Sequence, residues 1–170
     1  MSIMLMRKAT LDDLALLQYW DGKPHVISAG GDGDWFDWPK ELAVDPPWRE
    51  MLIAESEGRP IGIVQIIDPA EEDTRYWGDV EPDLRAIDIW IGEESDLGRG
   101  YGTQMMTLAL ARCFAPPEVS AVLIDPLMSN KRAQNFYRRM GFEDAGPRVF
   151  DADECLVMRI SRQRWASLSE

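Results

Sequence analysis

Three glycines alternate with larger residues near the middle of the chain, directly before a stretch with helical spacing. The segment Leu97-Gly-Arg-Gly-Tyr-Gly-Thr103 leaves several backbone N–H groups without a side chain in front of them. The first N–H groups of a helix have no partner inside the helix, so such a loop suits a bound anion. This pattern predicts a phosphate-binding loop.

The two common nucleotide loops do not fit this segment. A Walker loop needs a lysine after its last glycine, and a dinucleotide fold needs a third glycine in a loop that follows the first strand. Here Gly102 is followed by Thr103, Gln104 and Met105, and the loop lies in mid-chain. The anion is therefore expected to belong to another kind of ligand.

Two carboxylates stand where they could hold an ammonium group and accept its proton. Asp88 interrupts the apolar run Ile87–Ile91, so it must face a polar cleft or be paired, for example with Arg85. Asp125 ends the next strand, where open sheets bind ligands, although an Asp before Pro126 also forms turns without any chemistry. Aliphatic amines are mostly protonated at pH 7, which makes an amine a suitable substrate for this pair.

The elements around these residues predict one α/β (α+β) domain over residues 1–170. A strand, the glycine loop, a helix and a second strand form a βαβ unit within a mixed sheet of about six or seven strands, with helices on both faces. The stretch between Trp20 and Trp48 is rich in glycine and aromatic residues and is expected to be irregular, with a short helix or turn near Trp48. The other predicted elements are strand Ile3–Arg7, helix Leu11–Trp20, hairpin Met51–Glu55 with Pro60–Ile67, strand Ala86–Gly92, helix Gly102–Phe114, strand Ala121–Ile124, helix Asn130–Met140 and strands around 144–150 and 155–160.

Charge narrows the choice of ligands. The formal net charge of −12 over 170 residues excludes nucleic acid as a partner and favours a cationic small molecule. Residues 68–96 hold eleven acids against two arginines, whereas residues 97–140 hold two acids against six bases. This order suggests two ligands of opposite charge, the alternative being a solvated acidic loop.

Cysteine, histidine and hydropathy exclude further classes. Cys113 and Cys155 have no CxxC spacing and His25 is the one histidine of the chain, so we expect buried thiols and no metal site. No apolar run approaches the length of a membrane span, and the start of the chain lacks the pattern of a signal segment. The sequence therefore predicts a cytoplasmic protein without membrane contact, either a monomer or a homodimer.

A second motif turns the anion loop into a more specific hypothesis. The segment Asn130-Lys-Arg-Ala-Gln-Asn-Phe-Tyr137-Arg-Arg-Met-Gly141-Phe142, together with the glycine loop, resembles the GCN5-related N-acetyltransferase (GNAT) superfamily. The loop of that superfamily is written Arg/Gln-x-x-Gly-x-Gly/Ala, and here Leu97 stands at the Arg/Gln position. The resemblance implies acetyl-CoA as the co-substrate, with Leu97 moving phosphate contacts onto the backbone and Arg99. The residues it implies for the cofactor are Trp90, Ile91, Leu97, Gly98, Arg99, Gly100, Tyr101, Gly102, Thr103, Asn130, Ala133 and Tyr137.

A narrower resemblance concerns the acceptor. Arg85-Ala-Ile-Asp88, Asp125-Pro126 and Tyr137 are similar to bacterial aminoglycoside 6'-N-acetyltransferases, and enzymes that acetylate hydroxamate-siderophore precursors share much of this pattern. The resemblance implies direct acetyl transfer to an aminoglycoside 6'-amine, without a covalent enzyme intermediate. The alternatives are transfer to a siderophore-precursor or protein amine, and an acetyl-CoA-binding module without turnover.

The resemblance also implies roles for individual residues. Asp88 becomes the general base, directly or through a water, and Tyr137 the general acid that protonates the departing thiolate. Asp125 becomes a second anion for the acceptor's amines. Sugar rings stack on aromatic faces, so the acceptor site is expected to be walled by tryptophans, namely Trp35, Trp38 and Trp77.

Overall fold

The computed structural model describes residues 3–30 and 36–168 of the chain. In these ranges a seven-stranded sheet is flanked by six α-helices. The strands are β1 (Met4–Lys8), β2 (Arg49–Ser56), β3 (Arg59–Ile67), β4 (Leu84–Ile91), β5 (Ala121–Ile124), β6 (Glu143–Phe150) and β7 (Asp153–Ser161). The helices are α1 (Leu14–Asp21), α2 (Pro24–Gly30), α3 (Trp38–Leu42), α4 (Tyr101–Cys113), α5 (Lys131–Arg139) and α6 (Arg162–Leu168).

The sheet is mixed, as the sequence predicts. Its strand order is β1-β2-β3-β4-β5-β7-β6, and β4 with β5 is its parallel pair. The predicted hairpin of β2 and β3 turns at Glu57 and Gly58, both with positive φ (54° and 78°), as a two-residue hairpin turn requires. Helix α4 connects β4 to β5 and completes the predicted βαβ unit.

Strands β4 and β5 separate soon after they pair. Leu84, Arg85 and Ala86 face Ala121, Val122 and Leu123, but β4 continues to Ile91 while β5 ends at Ile124. Among the described residues, the second edge of β4 therefore has no strand partner from Ile87 onward. This opening, called here the β4–β5 gap, leaves backbone groups in the middle of the sheet available to partners other than a strand.

Helices cover both faces of the sheet, so the predicted layering is confirmed. One face packs on α4 and α5, with Met105, Met106 and Tyr137 in the main core. The other face carries α1 and α3, whose Leu17, Trp20 and Trp38 surround Ile53 and Ile63. No helix among the described residues is both long enough and apolar enough to span a bilayer.

The region between Trp20 and Trp48 is more regular than predicted. It contains α2 and α3, and a turn rather than a helix lies at Trp48. Helix α2 buries only Val26, so its sequence lacks the apolar residues at helical spacing that would predict it. Helix α3 begins instead with a cap, in which the Asp37 side chain accepts from the Lys40 N–H. Helix α6, which the sequence pattern does not predict, adds Trp165 against Phe114 at 4.8 Å.

Replacing Gly62 with alanine is expected to destabilise the protein by about 1–3 kcal/mol, because a methyl group would overpack the contact of β3 with β4. An ideal Cβ on Gly62 would lie 2.3 Å from the Trp90 carbonyl oxygen and 2.8 Å from the Met105 Cε. Urea unfolding measures the change. Gly22→Ala is the control, since its nearest atom would be 3.5 Å away; equal stability of the two variants would contradict the prediction.

Candidate active site

The glycine loop has the open N–H groups that the sequence predicts. Gly98 and Gly100 adopt left-handed φ angles of 71° and 84°, and Gly100 caps α4 without any side-chain hydrogen bond. Within the described ranges, no backbone carbonyl accepts from the N–H groups of residues 98–103. A Cβ on Gly100 would meet nothing within 4 Å. The loop is therefore an open nest of donors at a helix N-terminus, which suits a phosphate group.

Two arginines add positive charge to this loop. Arg99 is exposed, and its Nη1 lies 4.0 Å from the Asp96 Oδ1. The Nη2 of Arg132, from α5, lies 3.9 Å from where a Cβ on Gly98 would be. Both guanidinium groups can therefore reach an anion held on the loop.

An ion pair that sequence reasoning missed, between a half-exposed arginine and a buried carboxylate, lies at the entrance to the loop. Arg59 donates to both carboxylate oxygens of Asp96, at 2.8 and 3.0 Å, and the Asp96 side chain is only 2% exposed. Leu97, next to it, is half-buried and gives its N–H to the Glu94 carbonyl. Because Arg59 and Asp96 are 37 residues apart in the chain, no local spacing links them.

The second motif helps to build the site as well as to line it. The Asn130 side chain caps α5 by accepting from the Ala133 N–H at 3.1 Å, and Ala133 packs against the main core. Gln134, which the sequence analysis did not select, is buried and donates to the Leu127 and Met128 carbonyls at 2.8 and 2.9 Å. These bonds fix the turn that follows β5.

Asp88 and Asp125 are brought together by strand register. Ala86 pairs with Leu123 across β4 and β5, and each carboxylate stands two residues further along, which places both on the same face at the β4–β5 gap. No hydrogen bond or ion pair to another described residue holds the Asp88 carboxylate, and Arg85 pairs with Asp68 instead. The alternative in which Arg85 neutralises Asp88 is therefore wrong.

The Asp88–Asp125 pair binds protons more tightly than isolated carboxylates do. Burial raises the pKa of Asp88 to about 6. Burial and the nearby charge of Asp88 raise the pKa of Asp125 to about 7, while a hydrogen bond from Tyr76 and the charge of Arg148 act in the opposite direction. Two carboxylates that share protons near neutral pH are suited to binding a cation and to accepting its proton.

Tyr137 approaches the carboxylates from α5, across the gap. Its ring is buried between Phe136 and Phe142, with centroid distances of 5.5 and 6.0 Å. Burial, followed by the charges of Asp88 and Asp125, raises the pKa of the Tyr137 phenol. The hydroxyl therefore stays protonated at neutral pH and can donate a proton.

The structure places the two described tryptophans of the predicted wall largely in the interior. Trp77 is 5% exposed and packs edge-on against Phe150 at 5.2 Å. Trp38 is 2% exposed, and its Nε1 donates to Asp21 at 2.6 Å. A large aromatic ring gains most free energy when it is buried, and sequence position alone does not show which ring stays out. Trp35 lies outside the described residues.

Polar groups without partners surround the end of β4. Gln65 on β3 faces Asp88 in the strand register; it is fully buried, and neither of its amide atoms has a hydrogen-bond partner among the described residues. The Trp90 Nε1 is likewise unpaired. His25, which the sequence analysis left without a role in catalysis, donates from Nε2 to the Ile91 carbonyl at 2.8 Å and ties α2 to the strand end.

Gly102 has a packing role in the same region. A Cβ there would lie 3.4 Å from the Phe136 Cζ and 3.8 Å from the Ile91 Cδ1, so α4, α5 and β4 meet at this residue. The side chains of Tyr101 and Ile91 also pack against the main core. No group of three His, Cys, Asp or Glu side chains in the described ranges could hold a metal ion.

An open donor loop at a helix N-terminus, a gap between parallel strands and a carboxylate pair beside that gap form a site suited to transferring a group between an anionic and a cationic ligand. The chain belongs to the GNAT acetyltransferase family, since residues 9–150 match the family described as acetyltransferase (GNAT) domain. The family predicted from the two motifs is thereby confirmed.

Individual relatives come from two kinds of acyltransferase. The chain is 28% identical over 151 residues to aminoglycoside N(6')-acetyltransferase type 1 of Klebsiella pneumoniae, which covers 83% of this chain and 74% of that protein. A crystal structure of aminoglycoside acetyltransferase AAC(6')-Ib with coenzyme A and kanamycin gives a TM-score of 0.85 at 28% identity, covering 99% of this chain and all of that one. The lysine N-acyltransferase MbtK of Mycobacterium tuberculosis is 26% identical over 135 residues, or 71% of this chain and 60% of that protein.

The carboxylate pair is expected to make stability depend on pH. The folded pKa values of Asp88 and Asp125 lie above the value near 3.9 of an unfolded chain, so their contribution to stability is complete below about pH 4 and is lost as the pH rises through about 6 and 7. Asp88→Asn removes one of these charges. It should stabilise the protein relative to wild type more at pH 8 than at pH 5, as measured by urea unfolding.

The exposed loop residue Asp73 provides the control. Asp73→Asn should give the same stability difference from wild type at both pH values. A difference for Asp88→Asn that does not change with pH would show that the pair ionises as easily in the folded protein as in the unfolded chain.

Proposed function

We propose that the chain is an acetyl-CoA-dependent N-acetyltransferase that acetylates the 6'-amine of aminoglycosides. The observation that carries this proposal is the Asp88–Asp125 pair beside the β4–β5 gap, with a loop of open N–H groups at the start of α4. This arrangement favours one anionic and one cationic ligand. The enzyme would act in the cytoplasm on a soluble substrate, as a single-domain monomer or homodimer.

The residues present fit acetyl-CoA. The pyrophosphate would accept hydrogen bonds from the free N–H groups of residues 98–103, with Arg99 and Arg132 as charged partners. On the open edge of β4 the N–H of Ile91 points into the gap and can polarise the thioester carbonyl, whereas the N–H of Trp90 is directed toward β3. Acetyl-CoA supplies the activated acetyl group, and the protein supplies its orientation.

The proton path follows from the carboxylate pair. An acceptor ammonium would lose its proton to Asp88, directly or through a water, because this carboxylate has no competing partner among the described residues. The freed amine then attacks the thioester carbon, the carbon–sulfur bond breaks, and the new amide nitrogen loses its second proton to water. Tyr137 would give its proton to the departing sulfur and regain one from water.

The acceptor class follows from charge. Asp125 stands beside Asp88, and the preceding loop and strand, residues 68–96, carry eleven acids, so an acceptor with several ammonium groups is favoured over one with a single amine. The aminoglycoside acetyltransferases among the relatives support a polycationic amino sugar. A lysine-type amine is the second candidate, supported by the similarity to a lysine N-acyltransferase.

Asp88→Asn is expected to lower kcat/KM for kanamycin at least about tenfold, because the amide cannot accept the ammonium proton. Release of free thiol from acetyl-CoA in the presence of kanamycin measures the rate. Glu118→Gln, an exposed carboxylate outside the acidic segment, should retain the wild-type rate. Unchanged activity of Asp88→Asn would remove this residue from the mechanism.

Tyr137→Phe is expected to lower kcat with little change in the KM for acetyl-CoA, since the phenol acts only on the departing sulfur. A free thiol has a pKa near 8.5, so the loss should be smaller than for Asp88→Asn, on the order of tenfold or less. Steady-state kinetics with kanamycin test this. A rise in KM for acetyl-CoA with kcat unchanged would assign Tyr137 to binding alone.

Two experiments separate the candidate acceptors. Parallel thiol-release assays with kanamycin, tobramycin and an N6-hydroxylysine derivative compare kcat/KM, which should be largest for the true class of acceptor. Expression in a sensitive host should raise the inhibitory concentration of aminoglycosides that carry a 6'-amine. Binding of acetyl-CoA by calorimetry without transfer to any amine would instead indicate a module without turnover.

A further inference from the structure

Tyr76 is joined to the carboxylate pair although neither sequence motif includes it. Its hydroxyl donates to the Asp125 Oδ2 at 2.6 Å, across a separation of 49 residues. The residue is 43% exposed, so Tyr76 is accessible from solvent while its hydroxyl contacts Asp125. This contact connects the acidic loop after β3 to the end of β5.

Packing holds the Tyr76 ring firmly in place. It stacks on Phe150 of β6 with centroids 4.5 Å apart and planes at 6°, and it meets the edge of Trp77 at 5.8 Å. The guanidinium of Arg148 lies over the same Phe150 ring at 4.5 Å. Tyr76 is therefore part of a wall formed by the acidic loop and the β6–β7 hairpin.

The acidic loop is itself ordered around Tyr76. The Glu72 carboxylate accepts from the Tyr76 N–H at 2.9 Å and from the Thr74 N–H at 3.1 Å. Backbone, ring and hydroxyl of Tyr76 are thus each fixed by a separate contact. A hydroxyl held in this way sets the orientation of its acceptor rather than following it.

We infer that Tyr76 is a positioning residue for the acceptor: its hydroxyl fixes Asp125 as an oriented anion that binds a second ammonium group of the substrate, while Asp88 takes the proton of the reacting amine. The inference rests on the proposed function. It assigns different roles to the two neighbouring carboxylates, because Asp125 has a hydrogen-bond donor and Asp88 has none among the described residues. Acceptors with one amine do not need this arrangement.

The charges around Asp125 are consistent with this division. The groups that face it are Asp88 from β4, Tyr137 from α5, Arg148 from β6, Cys155 from β7 and Tyr76 itself. Burial and Asp88 raise the pKa of Asp125, whereas the Tyr76 hydrogen bond and Arg148 lower it. Without the Tyr76 hydroxyl, Asp125 would hold its proton to higher pH and attract an ammonium less strongly.

Tyr76→Phe tests the inference, because phenylalanine keeps the stacked ring and removes only the hydroxyl. The KM for kanamycin should rise roughly three- to tenfold at pH 6.5 and less than about twofold at pH 8.5, with kcat and the KM for acetyl-CoA nearly unchanged. For 6-amino-6-deoxyglucose, an acceptor with one amine, the KM should not respond. Tyr19→Phe, on the exposed face of α1, is the control and should behave as wild type.

A second measurement separates this inference from the proposed function. Carboxyl carbon-13 NMR of the protein without ligands should show the Asp125 titration shifted to higher pH in Tyr76→Phe. An unchanged titration, a lower KM for kanamycin, or equal effects on both acceptors would overturn the role of Tyr76. Absence of acetyl transfer by the wild-type protein would overturn the proposed function and leave the NMR result to decide whether Tyr76 controls Asp125.

Discussion

The separation of β4 from β5 is the constraint on which the rest of the structure depends. Three residue pairs join the two strands, and beyond Ala86 and Leu123 each strand follows its own path. The sheet thereby lacks a run of inter-strand hydrogen bonds at its centre. This arrangement is stable because helices on both faces hold the two halves of the sheet together. In return, a backbone edge of β4 becomes available at this opening.

The same opening explains why a costly pair of carboxylates is retained. Two like charges in this poorly solvated site repel each other. The raised pKa values of Asp88 and Asp125 report the free energy that ionising both groups costs in the folded protein. A cationic ligand reverses this balance, since it compensates both charges. The site is therefore least stable when empty at high pH, which is a common property of active sites.

Sequence reasoning locates a residue correctly where its place follows from local order. The glycine loop precedes a helix, Asp88 lies within a strand and Asp125 follows the end of one, as the sequence predicts. The contacts that it missed join distant segments, as Tyr76 with Asp125 and Arg59 with Asp96 do. The directions of Trp38 and Trp77 depend on which neighbours compete for the core, and α2 has too few buried residues to show a period.

The Arg59–Asp96 ion pair has a consequence for how fast and how firmly the anionic ligand is captured. Because the Asp96 side chain is buried and bonded through both oxygens, the entrance to the loop is already ordered in the protein without ligands. The entropy of ordering this segment is lost during folding rather than during association. An anion bound on this loop would therefore meet an ordered receptor and would lose less affinity to the ordering of the segment.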